Sequence, residues 1–273
     1  EKTRQLLLRY GVTKPIHTIP TGIDTENFRK GRFSPEEIAD LRHTLGLEAE
    51  TPVVVYVGRL AKEKNLDMVF RAMPTLLQQL PDMKFLIVGW GPEREHLEEL
   101  SAQLGIDASV IFTGGVPWEE IGKYYQLGDV FCSASVSETQ GLTFAEAMAA
   151  GVPVVAKKDP CIENIVTDGK TGLLFEQESD LPKLLYYILT EKTFAAELSQ
   201  NGLSAMEELS VENFGNRLER LYTSILQSPE QPIPVAAPKV ALAWSIKFIS
   251  LPEKALGRRI IKHVNKKEPI EKK

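Results

Sequence analysis

Val53-Val54-Val55-Tyr56-Val57-Gly58-Arg59, followed shortly by Leu66-Asp67-Met68-Val69-Phe70-Arg71-Ala72-Met73, decides how this chain folds. Five apolar residues without a polar break, four of them β-branched, read as a strand buried on both faces. Leu66, Val69, Phe70 and Met73 recur at helical spacing and line one side of a helix. The pair makes one strand-turn-helix unit, and the pattern repeats: apolar runs return at 85–88, 110–112, 130–132, 152–156 and 173–175, with helical signals between them. Strands that alternate with helices pair in parallel through right-handed crossovers. The expected fold is therefore α/β, a doubly wound parallel sheet of Rossmann-like type with helices on both faces.

Working outward, residues 1–11 read as a short helix capped by Gly11, residues 15–20 as an extended segment, and Thr21-Gly22 as a turn. Ser34, Pro35 and Glu37 form a capping box with Pro at the first helical position, opening a helix that stops at Gly46. After Phe175 only helices are expected, through about Leu226. The Pro-rich stretch 228–238 reads as a linker and 239–273 as a tail.

The 273 residues are 43% hydrophobic and 25% charged, which suits one large domain or two small ones and excludes a wholly disordered chain. Cys132 and Cys161, both in apolar stretches, are too few for a disulfide framework and read as buried thiols in a reducing compartment. No run approaches the roughly 18 apolar residues of a spanning helix, and no signal segment opens the chain. The net charge of -5 conceals a division: residues 239–273 carry ten Lys/Arg against three Glu, +7, leaving -12 on the rest. An acidic body argues against nucleic acid as a partner, whereas the basic tail suits an anionic lipid surface.

In open parallel sheets ligands bind beyond the carboxyl ends of the strands, so the residues after each run are the candidates. Arg59 follows the first run and Lys64 opens the next helix; a guanidinium and an ammonium near a helix N-terminus suit a diphosphate. The plainer alternative is a solvated ion pair with Glu63. Gly89-Trp90-Gly91-Pro92 follows the second run and lets a ligand or another backbone approach closely; it lacks the full dinucleotide fingerprint. Gly114-Gly115-Val116 presents bare backbone to a base edge. The fourth run leads into 135–151, where Glu138 precedes a helix opened by Gly141, Leu142 and Thr143, and Glu146 lies in its second turn. The first amides of that helix suit a phosphate, Glu138 a sugar, and Glu146 ribose hydroxyls, with a partly buried Glu146 needing a partner. The plainer alternative makes Glu138 a helix-start charge and Glu146 an ordinary surface residue. His17, His43, His96 and His263 show no metal-ligand spacing, so no metal is expected.

Taken together, 19–24 (Ile-Pro-Thr-Gly-Ile-Asp) with Phe28, Val57-Gly-Arg-Leu with Glu63-Lys64-Asn65, Gly89-x-Gly-Pro92, Glu138 with Glu146 seven residues between, Gly151-x-Pro153 and Gly169-x-Thr-Gly172 resemble the retaining nucleotide-sugar glycosyltransferases of family four, over roughly residues 16–175. That family has two Rossmann-like domains facing across a cleft (the GT-B fold), and this chain is similar to the C-terminal, donor-binding one. The resemblance implies that Arg59 and Lys64 hold the donor diphosphate with the amides of Gly141, Leu142 and Thr143. It further implies that Glu138 is the catalytic carboxylate touching the transferred sugar, and that Glu146, the Val116 backbone and Gly89 serve the ribose and base. It implies no metal or other cofactor. Residues 1–15 would close a missing N-terminal domain, 16–205 form the donor domain and 206–227 its last helix; the absence of Met at position 1 fits such a fragment, expected to be inactive alone. Trp90 departs from the family pattern, which has a small or acidic residue there.

The wording Glu138-Thr-Gln-Gly-Leu-Thr143 is similar to bacterial diacylglycerol glucosyltransferases, which implies UDP-glucose as donor, diacylglycerol as lipid acceptor, and a cytoplasmic protein held on the inner face of the membrane. The tail agrees: Leu256, Ile260, Ile261 and Val264 make an apolar face flanked by Lys254, Arg258, Arg259, Lys262 and Lys266. Its alternative is a helix packing on the missing domain. Transfer of another sugar to a glycan or lipid, and a catalytically silent nucleotide-sugar-binding module, are the competing readings.

Overall fold

A computed structural model describes residues 2–227 of the chain; the linker 228–238 and the basic tail lie outside the described residues. Six strands form one parallel sheet: β1 (Val53–Val57), β2 (Lys84–Val88), β3 (Val110–Gly114), β4 (Val130–Ser133), β5 (Val154–Lys157) and β6 (Gly172–Phe175), in the spatial order β3-β2-β1-β4-β5-β6. All neighbours are parallel, with Val55 opposite Leu86 on one side and Phe131 on the other. The expected doubly wound sheet is thus observed. Strand ends differ by a residue or two from the apolar runs. β5 begins at Val154 because Pro153 has no N–H to give the ladder; its carbonyl instead accepts from Phe131 N–H at 2.9 Å.

Alternation along β1 explains why its run is apolar throughout. Val53, Val55 and Val57 enter one buried cluster, with Phe131, Phe144 and Met148. Val54 and Tyr56 enter a second, with Phe70, Met73 and Leu185. A strand that must bury both faces has no room for a polar residue. The connecting helices are α3 (Leu66–Leu77), α4 (Arg94–Gln103), α5 (Ile121–Leu127) and α6 (Leu142–Ala149), preceded by α1 (Lys2–Arg9) and α2 (Pro35–Thr44) and followed by α7 (Leu181–Thr190), α8 (Lys192–Glu207) and α9 (Val211–Gln227). Leu66, Val69, Phe70 and Met73 of α3 are all buried, as their spacing predicts. The α2 capping box forms, with Glu37 N–H donating to Ser34 Oγ at 3.2 Å and Ser34 N–H to the Glu37 carboxylate at 2.9 Å. Gly11 adopts φ +84° after α1, and both cysteines are buried.

One close approach fixes α5 against the segment that precedes α2. A Cβ on Gly122 would stand 2.3 Å from the Asn27 carbonyl oxygen and 2.9 Å from the Phe33 ring. In an exposed helix Gly→Ala stabilises by up to about 1 kcal/mol. Here the sign reverses: Gly122→Ala lowers stability by about 1–3 kcal/mol through overpacking. Urea unfolding followed by circular dichroism measures it, and an unchanged or raised midpoint refutes the close packing.

Candidate functional site

Strand order reverses between β1 and β4, and there the connections leave the sheet in opposite directions. A cleft of about 460 Å³ opens at that point, lined by Tyr56, Val57, Gly58 and Arg59 beyond β1, Glu63 and Lys64 before α3, Ser133 at the end of β4, Ser137, Glu138 and Thr139 in the next loop, and Thr143 of α6. Of the residues the sequence singles out, it brings together Arg59, Lys64, Glu138 and Thr143. This is where the topology itself puts a ligand.

Two cations face two carboxylates in the cleft. Lys64 Nζ donates to Glu138 Oε1 at 2.6 Å, across 74 residues of sequence, and both side chains are largely shielded from solvent, at 22% and 14% exposed. Arg59 is mostly exposed and pairs with Glu63, one turn away, so the ion pair that competes with a binding role is present. Lys64 owes its direction to the turn that follows it: Asn65 takes the left-handed conformation at φ +53°, and α3 starts at the next residue. Asn tolerates that conformation better than most side chains. Tyr56 sits beneath, its hydroxyl donating to the Arg59 carbonyl at 3.1 Å. Burial first, and then the charges of Glu138 and Glu63, push the Tyr56 phenol above its ordinary pKa, so it remains neutral.

The loop bearing Glu138 is pinned from both sides. Ser137 Oγ donates to the Glu63 carbonyl at 3.3 Å, and Gln140 brackets Thr21 by accepting from its N–H and donating to its carbonyl, each at 2.8 Å. The Thr21-Gly22 turn is itself held at the α8–α9 junction, where Ile23 N–H donates to the Leu209 carbonyl at 2.8 Å and Val211 N–H to the Ile23 carbonyl at 3.2 Å. Gly141, at φ +73°, then opens α6 without a side-chain cap. The first amides of α6 have no acceptor inside the helix and point their partial positive charge outward, which suits an anion.

Glu146 stands on the second turn of α6, buried, and accepts from the Tyr125 hydroxyl at 2.7 Å. Burial raises its carboxyl above the usual carboxylate pKa, and the Tyr125 bond pulls it partly back. The buried carboxylate expected from the small, apolar surroundings of Glu146 is found; its partner, 21 residues upstream, is a residue that sequence reasoning missed. Gly89, Val116, Gly141, Leu142 and Glu146 are not among the residues that line the cleft. Gly89 explains itself structurally: a Cβ there would fall 2.0 Å from the Gly58 carbonyl oxygen. Val116 is half-buried beside the end of β3. A second hollow, of about 390 Å³, shares Thr139 with the cleft and includes Ile16, Ile19, Gln140 and Asn164.

Among the described residues, Asp67, Glu93 and His96 gather potential ligand atoms within 4.8 Å of one another. Spacing along the chain does not show this group, because Asp67 opens α3 while the other two sit at the start of α4. His96 Nε2 meets Asp67 Oδ2 at 2.9 Å, and that bond raises the imidazole pKa. An ion pair accounts for the arrangement. No helix among the described residues is long and apolar enough to cross a membrane.

Against known proteins, residues 37–204 match the family described as glycosyl transferases group 1. The chain is 35% identical to the alpha-monoglucosyldiacylglycerol synthase of Streptococcus pneumoniae over 84% of its length and 51% of that protein, and 32% identical to the Acholeplasma laidlawii protein of the same name over 76% and 52%. It thus spans about half the length of these relatives. Its fold is shared with Anabaena Alr3699/HepE, solved in complex with UDP, at a TM-score of 0.73 and 23% identity over 81% of this chain and 61% of that one. The matched segment runs from α2 through most of α8 and contains the whole sheet and cleft, and on that match the chain belongs to the glycosyl transferases group 1 family.

Proposed function

We propose that this chain is the donor-binding part of a retaining glucosyltransferase that moves glucose from UDP-glucose to diacylglycerol. The observation that carries the reading is the cleft at the strand-order reversal, where Arg59, Lys64, Glu138 and the uncapped start of α6 converge. In the reaction the bond from the sugar's anomeric carbon to the diphosphate breaks, and a bond to an acceptor hydroxyl oxygen forms on the same face. The electron pair leaves with the diphosphate, and the acceptor's proton passes to an oxygen of that leaving group or to a base. Arg59, Lys64 and the amides of Gly141, Leu142 and Thr143 stabilise the departing charge, the part a metal ion plays in other transferases. Glu138 touches the sugar, and Glu146 accepts from ribose hydroxyls. The likeness to two glycolipid synthases supports glucose and a lipid acceptor, and the UDP complex of a shared fold supports the nucleotide.

Calorimetry with UDP tests the donor site: binding is expected, and no heat at millimolar UDP sinks the reading. Arg59→Ala should lose about 10- to 100-fold in UDP affinity, the worth of hydrogen bonds to a charged group, while uridine binding changes little. Because Glu63 competes for the same guanidinium, Glu63→Gln should tighten UDP by up to about fivefold, the scale of an exposed ion pair. Equal losses for UDP and uridine in Arg59→Ala would refute the diphosphate role.

Glu146 must be ionised to accept two ribose hydroxyls, and Tyr125 favours that form. Tyr125→Phe raises the Glu146 pKa further. A raised carboxyl pKa gives stability that is fully present below the unfolded pKa and is lost as pH rises through the folded one. The variant should therefore lose about 1–3 kcal/mol at neutral pH and less in acid, where Glu146 is protonated. Its UDP affinity should also begin to fall at a higher pH than in the wild type. A stability cost independent of pH would argue against the Glu146 linkage.

For the tail, 239–273, the proposal is adsorption to an anionic membrane, supported by its +7 charge and by the helical spacing of Leu256, Ile260, Ile261 and Val264 in the sequence. Deleting it should abolish salt-sensitive sedimentation with phosphatidylglycerol vesicles; undiminished sedimentation would overturn this part alone.

A further inference from the structure

Trp90 is 73% exposed, an unusual place to leave an indole, and it follows β2 at the same edge of the sheet as the cleft. Its turn is clamped to the neighbouring turn after β1. Leu60 N–H donates to the Trp90 carbonyl at 3.0 Å, and Glu93 N–H to the Leu60 carbonyl at 3.1 Å. A Cβ on Gly91 would lie 2.1 Å from that same Leu60 oxygen. On its other side the turn is tied to β3, through Gly89 N–H to the Gly114 carbonyl at 2.9 Å. The indole therefore projects from backbone with little freedom. Its Cδ1 lies 3.0 Å from where a Cβ on Gly115 would stand, so the ring rests along bare backbone that leads directly into Val116. Trp118, half-exposed, packs edge-on against Phe28 at 5.4 Å; among the described residues no aromatic ring packs against Trp90.

The sheet order sets the scale. β2 lies between β1, where Arg59 and the diphosphate subsite begin, and β3, whose end leads to Val116. Two strand spacings are about 10 Å. A nucleoside diphosphate with its phosphates at the β1–β4 cleft and its base edge on the Val116 backbone must pass over the end of β2, and Trp90 is the side chain there. The base needs a flat partner for its face as well as polar groups for its edge, and an indole held against glycine backbone supplies one.

We infer that Trp90 is the stacking platform for the nucleobase of the donor, a contact that rests on the donor-site reading above and adds to it a residue outside the cleft lining. Stacking on an aromatic is indifferent to base identity, so Trp90 contributes affinity and position, while the Val116 backbone selects the edge.

The test measures UDP and inorganic pyrophosphate binding by calorimetry to wild type, Trp90→Phe and Trp90→Ala, with thermal unfolding to verify the fold. Trp90→Ala is expected to weaken UDP by about tenfold or more and leave pyrophosphate unchanged, and Trp90→Phe to keep most of the affinity. UDP should also quench wild-type indole emission, and the quench should vanish in Trp90→Phe, a signature that a purely structural role would not produce. Wild-type binding with undiminished affinity in Trp90→Ala overturns this inference alone. Absence of UDP binding by the wild type overturns the donor reading and this inference with it.

Discussion

The rest of the site depends on a constraint of chain connection. Parallel strands must be joined by crossovers, and right-handed crossovers that start from β1 run toward β2 and β3, while those that follow β4 run toward β5 and β6. At the junction of β1 and β4 the two sets diverge, so no connection covers the carboxyl ends of these strands. The gap is where the first turn after β1 can offer Arg59 and Lys64, and the loop after β4 can offer Glu138, to the same space. Neither loop could do this from an interior strand flanked by crossovers of one direction. The apolar saturation of β1 is the condition for that placement, because a strand buried by helices on both faces is a rigid base for the turn it carries.

The charges in the cleft balance one another before any ligand arrives. Lys64 rests on Glu138 in a shielded position, and Arg59 on Glu63 in an exposed one. The two pairs differ in what they do. Partial burial strengthens the Lys64–Glu138 attraction and holds both groups in one geometry, together with the Ser137 and Gln140 bonds that pin the loop. The Arg59–Glu63 pair is screened by water and weak, so an arriving diphosphate can replace the carboxylate. An acidic body with -12 outside its tail repels an anionic ligand, and because the cleft's cations are already balanced by carboxylates, attraction for an anion comes from the uncapped amides of α6 and from exchange of the Glu63 carboxylate for the ligand.

Most of the architecture is legible in the sequence because burial on two faces leaves a plain mark: uninterrupted apolar runs for the strands and helical spacing such as Leu66, Val69, Phe70 and Met73 between them. Local chemistry is equally legible, as in the Ser34–Glu37 capping box, whose members lie three residues apart. What the sequence hides are pairings made by the fold across long separations. Tyr125 is an ordinary tyrosine until α5 sets it beside Glu146, and Gln140 gives no sign that it brackets Thr21, 119 residues away. Gly89 shows the opposite difficulty. Its position after β2 reads as an opening for a ligand, yet the observed close neighbour is the Gly58 backbone, so a residue pattern that permits close approach does not say what approaches. The Asp67, Glu93 and His96 group was invisible for the same reason as Tyr125.

An open cleft imposes a division of labour on the residues around it. Arg59 is exposed and its interactions are screened, so binding a donor firmly through the diphosphate alone would demand more attraction than one screened guanidinium and one shared ammonium provide. On the proposed donor reading, firm attachment comes from parts of the ligand whose contacts water does not weaken as strongly: a base face on Trp90, a base edge on backbone, ribose hydroxyls on the carboxylate of Glu146, which is buried. These parts do not change during sugar transfer. On that reading they bind ground state and transition state alike, whereas the cations and the α6 amides hold the charge the diphosphate already carries and also meet the further charge that develops as its bond to the sugar breaks. In the proposed placement, with phosphates at β1 and β4 and the base toward β3, the separation along the sheet edge is the geometric form of that division.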